Sequence, residues 1–421
     1  MIEPSSRVVS WLVLAAGLSA CGASAKTGSA QANQPAAVSS DKAQPESKKF
    51  DIDAYYQREL APLAKKAFTF QKLSGESEAS EAAKIVDDEG SFHLTIPLGT
   101  KAPLECFVYK REVDPAGSLV AIAREVKKSL DVRLLKTADV SLVGDFPVVF
   151  LEQQYVSPTE HGQAAGELKT MFYDHPVTPM LCMHDELGYN ASFQRVTKNL
   201  AASLKVAGLE VNAPKLLEIY VDKIADQPAG FSRHVVLPGK NGGLVSTSKA
   251  STFIQRSPRD LVSGDSITTE ICDKDGRLLE ASYVEAEGGE LAREIQLKRI
   301  GPQEYTYKGK HSGKNVSGKF KTKGKRGLSG DKALTAAVLS ELLSGKSAEM
   351  KMEEYHPGLN PEAPVEVAYK VDSKEQRRIK ISVGQMEMLA TADDKGLMQK
   401  LEIPVGSVKM IRERVLVRGS Q

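Results

Sequence analysis

The chain of 421 residues carries 56 basic and 54 acidic side chains, so its net charge is close to zero. A chain of this length can form two domains, each with its own hydrophobic core. A balanced charge provides no overall attraction for nucleic acid, and we expect no nucleic-acid partner.

The first predicted element is an apolar run at residues 8–18. At about eleven residues it has the length of a signal-peptide core and is too short to cross a bilayer as a helix. The small residues Ser19 and Ala20 follow it and precede Cys21. This order of features predicts a signal peptide over residues 1–20.

The stretch Leu18-Ser19-Ala20-Cys21 resembles the lipobox of bacterial lipoproteins. The resemblance implies that residues 1–20 are removed and that Cys21 becomes a lipidated N-terminus, with a diacylglyceryl thioether and a further acyl chain such as palmitate. Gly22 stands where the inner-membrane retention signal of such lipoproteins has Asp, which implies an outer-membrane location. A periplasmic and a surface-exposed orientation both remain open.

Residues 21–49 are rich in Ala, Ser, Gln, Pro, Lys and Gly. A segment of this composition cannot bury a core, so we predict a lipidated, disordered tether. It would hold the folded part of the protein away from the membrane.

The first domain is predicted over residues 50–206. Apolar spacing predicts helices at residues 55–63, 119–130 and 191–204, and alternation predicts strands at residues 92–96, 105–110, 132–143, 146–155, 167–173 and 178–183. This order indicates an antiparallel sheet with packed helices, an α+β layout. The layout, including residues 92–97 and the last helix, resembles the PsbP-like fold.

Residues 207–214 are predicted as a linker, and residues 215–421 as a mostly β domain. Alternating strands with one or two helices, including one at residues 331–343, predict a curved antiparallel sheet or half-barrel. The layout resembles the lipoprotein carriers LolA and LolB. That resemblance implies a concave apolar face suited to an acyl chain or a lipoprotein. The fold class predicted for the whole chain is therefore α+β.

Three cysteines remain besides Cys21, namely Cys106, Cys182 and Cys272. An oxidising envelope permits a disulfide, and three cysteines leave one unpaired. Cys106 and Cys182 fall in the same predicted domain and are the favoured pair. The alternative is three buried free thiols.

A basic segment runs through Lys319, Lys321, Lys323 and Lys325. Their period of two places them on one face of a strand. One interpretation is a contact with lipid phosphates or another anionic envelope polymer. The other is an edge strand that its lysines protect against wrong pairing.

Sequence motifs for catalysis are incomplete. Residues 313–319 have the spacing of a P-loop, but Phe320 stands where Ser or Thr would hold magnesium. We therefore predict no catalytic residues, no metal and no cofactor. The predicted function is non-catalytic: a lipid-anchored envelope protein that binds an apolar or lipid-like ligand or a lipoprotein. The alternative is a scaffold or assembly factor for another envelope protein, and the third hypothesis is a hydrolase.

Overall fold

The computed structural model describes residues 52–160, 162–209, 213–324, 327–330, 338–394 and 396–419. The predicted lipidation site Cys21, the whole predicted tether at residues 21–49 and Lys325 lie outside these residues. The chain divides into two compact units, Met1–Arg58 and Glu59–Gln421. The short helix α1 (Ile52–Tyr56) belongs to the first unit. The predicted linker at residues 207–214 falls inside the second unit.

The first half of the second unit contains ten strands and two helices among its described residues. The helices are α2 (Pro115–Ser129) and α3 (Asn190–Ser203). The strands are β1 (Lys65–Phe70), β2 (Leu73–Glu78), β3 (Lys84–Asp87), β4 (Ser91–Ile96), β5 (Leu104–Tyr109), β6 (Asp131–Val143), β7 (Phe146–Thr159), β8 (Gly162–Tyr173), β9 (Met180–Asp185) and β10 (Lys205–Val206). They form a three-stranded sheet, β1-β2-β10, and a seven-stranded sheet, β3-β4-β5-β9-β8-β7-β6.

One face of the seven-stranded sheet packs against α3 and the small sheet. Phe150 of β7 and Phe193 of α3 meet edge to face, with ring centroids 6.0 Å apart. In the same core, Cys106 of β5 is paired directly with Cys182 of the neighbouring strand β9. Their sulfur atoms form a disulfide, and Cys272 is a buried free thiol.

The second half of the unit is built on one antiparallel sheet of fourteen strands. The strands are β11 (Leu216–Ile224), β12 (Gln227–Pro238), β13 (Leu244–Ser257), β14 (Asp260–Cys272), β15 (Leu278–Glu287), β16 (Glu290–Arg299), β17 (Glu304–His311), β18 (Lys314–Lys321), β19 (Glu349–Glu354), β20 (Val365–Ser373), β21 (Arg378–Val383), β22 (Met386–Ala392), β23 (Met398–Val405) and β24 (Val408–Gly419). Strand β11 pairs with both β12 and β24, so β18 and β19 become the two ends of the sheet. A 3₁₀ turn, Lys240–Gly242, joins β12 to β13.

Buried charges join the two halves into one compact unit. Lys249 of β13 lies 2.9 Å from Asp174, which also pairs with Arg233 of β12 at 3.3 Å. Asp265 of β14 accepts hydrogen bonds from the first amides of α2, at 3.1 Å from Ala116 and 2.8 Å from Gly117. Removing one partner of such a pair leaves a buried charge unpaired, so each contact fixes how the two sheets meet.

The predicted α+β class is wrong, because the protein is mostly β. Strands make up 59% of the described part of the chain and helices 12%. The helix predicted at residues 55–63 ends at Tyr56, and β1 begins soon afterwards at Lys65. The sequence analysis missed strands β1 and β2 because charged side chains interrupt the alternation of apolar and polar residues in them. Tertiary contacts stabilise them, such as the ion pair of Glu78 with Arg195 of α3 at 3.3 Å.

Within the described residues, no helix has both the length and the apolar character needed to cross a membrane.

Candidate ligand-binding face of the large sheet

The two faces of the large sheet differ in chemistry. Along β20, Val365, Val367, Tyr369 and Val371 point to one face, and the residues between them, including Lys370, point to the other. Helical residues 338–343, which we call the inner helix, pack on the first face through Val338, Leu339 and Leu342. We call this the inner face and the opposite one the outer face.

The inner face is apolar over β19 to β23 and at Met410 of β24. Half-buried aliphatic side chains surround the inner helix and contact the same core: Met350, Met352, Val365, Val371, Ile381 and Val383. The strand register extends this row, because Ile381 is paired with Met388 and Ile403 with Met410. The helix therefore covers part of an apolar surface whose remainder stays partly accessible.

The sheet curves so that its two ends meet around the inner face. Tyr355 directly follows β19 and stacks on Phe320 of β18, with ring centroids 5.5 Å apart. The Glu353 carboxylate accepts hydrogen bonds from the Lys323 and Gly324 amides, at 2.6 Å and 3.1 Å. Among the described residues, no backbone ladder pairs β18 with β19, so these contacts join the two ends of the sheet.

An aromatic wall forms where the ends meet. Phe320 also stacks on Tyr305, at 5.5 Å between ring centroids, and Tyr283 lies 5.5 Å from Tyr355. Gly318 supports this wall, since a Cβ there would come within 2.5 Å of the Tyr307 hydroxyl. Burial raises the pKa of the Tyr305 and Tyr355 hydroxyls, so both stay neutral at ordinary pH.

Charged side chains occupy the middle of the inner face, on β11 and β24. Arg412 forms a two-point contact with the fully buried Asp222, at 2.7 Å and 2.8 Å. Arg414 pairs with Glu218 at 3.7 Å and with Asp393. Because both guanidinium groups already have carboxylate partners, their role is to hold β24 against β11.

The predicted lysines lie on the other side of the sheet from the apolar lining. Lys319 and Lys321 are exposed on the outer face of β18, whereas Phe320 between them points inward. Lys323 follows the end of the strand, and Lys325 is outside the described residues. The structure thus brings together two of the four lysines, on an end strand of the sheet.

A groove of about 600 Å³ lies beside these lysines on the outer face of β14 to β17. Its outward side chains include Lys298, Lys308 and Thr306. Thr306 is paired across the ladder with Lys319, so the groove borders the lysine pair. Lys298 forms an ion pair with Glu280 at 2.9 Å. The groove therefore has more basic than acidic side chains, but one of its lysines already has an acidic partner.

Sequence analysis missed the methionines and the aromatic wall of the inner face. A signal was present, because Met350 and Met352, and likewise Met386 and Met388, alternate with charged residues. Strand β19 itself was not predicted. Its pattern of Glu, Met and Lys is as typical of a helix surface as of an end strand, since Glu, Met and Lys all favour helices.

Comparison with protein-family models gives no match, and comparison with curated proteins gives none either. Among solved structures, the chain is similar to a β-barrel-like protein of the domain of unknown function DUF1849 from Brucella abortus. The TM-score is 0.39 and the sequence identity 12%, and the match covers 50% of this chain and 100% of that one. A likeness at this level identifies neither a family nor a ligand. The resemblances to PsbP and to LolA and LolB stay predictions.

Proposed function

We propose that this β-rich protein is an envelope lipoprotein, anchored through Cys21, that binds an apolar or lipid-like ligand on the inner face of its large sheet. The observation that carries the proposal is the row of half-buried aliphatic side chains around the inner helix. Partly accessible apolar side chains on a curved surface gain free energy when a hydrocarbon chain covers them, at about 25 cal/mol per Å².

The chemistry of the row suits an acyl chain. Met350, Met352 and Met388 contribute unbranched thioether side chains, which adapt to ligands of irregular shape. The charged residues of the outer face, such as Lys351 and Glu366, keep that side of the sheet hydrated. A ligand of this kind would enter beside the inner helix, where the lining is already partly exposed.

A second candidate function is contact with anionic lipid headgroups through the outer face. Lys319 and Lys321 support it, together with the neighbouring groove that contains Lys308. Each lysine near an anionic membrane contributes about 1 kcal/mol of attraction. The register places these lysines and the apolar row on opposite faces, so we treat the two contacts as separate.

The scaffold alternative has support of its own in exposed apolar side chains. Val405 and Val408, at the turn between β23 and β24, are 37% and 43% exposed. Val415 and Val417 on β24 are also exposed. Such a surface could bind another envelope protein, and that role would leave the inner face without a ligand.

The test is binding of cis-parinaric acid, a fluorescent fatty acid, to the full chain carrying Cys21→Ser. Native mass spectrometry and lipid extraction of the same sample would report a co-purifying acyl ligand. We expect the double substitution Met350→Gln/Met352→Gln to weaken binding about 10-fold, because it places two amides in the apolar row.

The matched control is Glu349→Gln/Lys351→Gln, which changes the outward residues of the same strand. It should bind as tightly as the parent chain. Saturable binding that the inward pair weakens and the outward pair preserves would support the proposal. A chain that neither co-purifies with lipid nor binds the probe would favour the scaffold role.

A further inference from the structure

A separate cavity of about 240 Å³ lies between α3 and strands β6 to β8. It is far smaller than the outer groove and belongs to the seven-stranded sheet. Its lining is Lys136, Thr137, Ala138, Phe150, Leu151, Glu152, Lys169, Asn190, Phe193, Gln194 and Gln227. Taking about 30 Å³ for each water molecule, the volume corresponds to about eight waters.

Two buried acids lie at the cavity. Glu152 lines it, and its carboxyl group is hydrogen-bonded to that of Glu167, which is fully buried. Burial and the bond to Glu152 raise the pKa of Glu167. Burial opposes ionisation of Glu152, but hydrogen bonds from Glu167 and Lys136 outweigh it and lower the pKa of Glu152. Glu167 therefore holds its proton more tightly than Glu152 does.

Neighbouring groups fix both acids in place. Lys136 lies 2.8 Å from one oxygen of Glu152, and the Gln154 amide donates to the other at 3.1 Å. Glu167 accepts a hydrogen bond from the Gly188 amide at 2.9 Å. Lys169 donates to the Gly188 carbonyl at 2.7 Å and lies 3.7 Å from Glu167. Two lysines, Lys136 and Lys169, lie beside the two acids, so the site contains both positive and negative groups. It therefore favours neither an anionic nor a cationic ligand strongly.

An unsatisfied polar group points to a ligand. The side-chain oxygen of Asn190, which lines the cavity, is buried and has no hydrogen-bond partner among the described residues. Leaving such a group unpaired costs about 1–3 kcal/mol. A molecule bound in the cavity could satisfy it.

The same cavity has an apolar wall. Phe150 and Phe193 contribute their rings. A molecule that fits must therefore offer hydroxyl groups on its edge and C–H groups on a face. It must also be neutral and of about the size of one six-membered ring with its substituents.

We propose that this cavity binds a polyhydroxylated neutral molecule of the size of one sugar unit. Glu152 would accept hydroxyl hydrogen bonds, Asn190 would complete its unmet bond, and the phenylalanine rings would cover the C–H face. This proposal does not depend on the acyl-binding role, because the cavity shares no residue with the apolar row around the inner helix.

The test is saturation-transfer NMR with calorimetry on the full chain carrying Cys21→Ser. The probes are glucose, galactose, mannose, glycerol and N-acetylglucosamine. We expect at least one sugar to bind. Asn190→Leu, which removes the amide at similar volume, should weaken it about 3- to 10-fold. Glu152→Gln should weaken it further, since a bond to a charged group is stronger.

Thr170→Val serves as the control, because Thr170 lies on β8 but is not among the cavity-lining residues. It should leave sugar affinity unchanged. Gln194→Ala, at the cavity wall on α3, is the second test variant if Glu152→Gln fails to fold. Binding that falls in the cavity variants alone supports the proposal. Absence of binding by every probe, or equal binding by all variants, overturns it.

Discussion

Tyr355 and Phe320 stack across the two ends of the fourteen-stranded sheet, with their ring planes 17° apart. The two residues lie 35 positions apart in the chain, and their strands are the most distant pair in the sheet order. Because no backbone ladder joins β18 to β19 within the described part of the chain, side-chain packing holds the curvature that encloses the inner face.

We expect this aromatic contact to be energetically coupled. Phe320→Leu and Tyr355→Leu should each lower the free energy of unfolding by about 1–3 kcal/mol. In a double-mutant cycle the interaction energy should be about 1 kcal/mol. Urea unfolding checks this. As a control, Lys319→Ala, at the outward neighbour of Phe320, should change stability by less than about 0.5 kcal/mol. If the effects of the two aromatic substitutions are strictly additive, the two ends of the sheet are not held together by this contact.

The disulfide should stabilise the first half of the unit. Cys106 and Cys182 are 76 positions apart, and the chain-entropy model gives about 4 kcal/mol for a loop of this length. Cys106→Ala/Cys182→Ala should therefore unfold at lower urea concentration. A reducing agent should destabilise the parent chain by a similar amount and leave the double variant unchanged. Equal sensitivity of both proteins to reduction would argue against the bond.

Asp265 should make stability depend on pH. Burial raises its pKa to about 6, against the hydrogen bonds from Ser251 and from the amides of Gly117 and Ala116. The raised value means that the folded state binds the proton more tightly than the unfolded state does. Stability from this group is therefore present below pH 4 and is lost as pH rises through 6.

The measurement is the free energy of unfolding at pH 4 and at pH 7 for the parent chain and for Asp265→Asn. The parent should lose about 2–3 kcal/mol more than the variant over this range. The exposed Asp260→Asn should behave like the parent. A parent chain that gains stability relative to Asp265→Asn on going to pH 7 would reverse the assigned sign.

The proposed lipid attachment at Cys21 predicts where the protein is found. The parent chain, expressed in a bacterial envelope, should fractionate with membranes and incorporate labelled palmitate. Cys21→Ser should lose the label and leave the membrane fraction, because the acyl chains provide the hold. Cys272→Ser, which changes a buried thiol elsewhere, should keep both properties. If the Cys21→Ser chain carries no label but stays in the membrane fraction, the protein is attached to the membrane in a different way.

The outer-face lysines predict binding to anionic membranes. Lys319→Glu/Lys321→Glu should reduce sedimentation of the Cys21→Ser chain with phosphatidylglycerol vesicles, and added salt should reduce parent binding in the same way. Lys351→Glu/Lys370→Glu changes two outward lysines at the other end of the sheet and is the control. Equal loss in both double variants would indicate general electrostatics rather than a site at β18.

Local sequence patterns predicted elements whose alternation is clear. Val365, Val367 and Val371 alternate with polar residues, and β20 lies there. The helical spacing of Phe193, Val196 and Leu200 likewise matches α3, which buries all three. The α+β class was wrong because the number of strands depends on segments such as β1 and β19, whose charged residues conceal their period.

By itself, the sequence determined that the chain has a lipobox-like N-terminus, a near-zero net charge and a second half dominated by alternating strands. Only the tertiary structure decided that β18 and β19 meet, that Lys319 faces away from the apolar lining, and that Glu152 and Glu167 lie together beside a cavity. The reason is physical: periodicity reports which residues share a face of one strand. Curvature, strand order and the burial of acids from different strands arise from contacts between residues far apart in the chain.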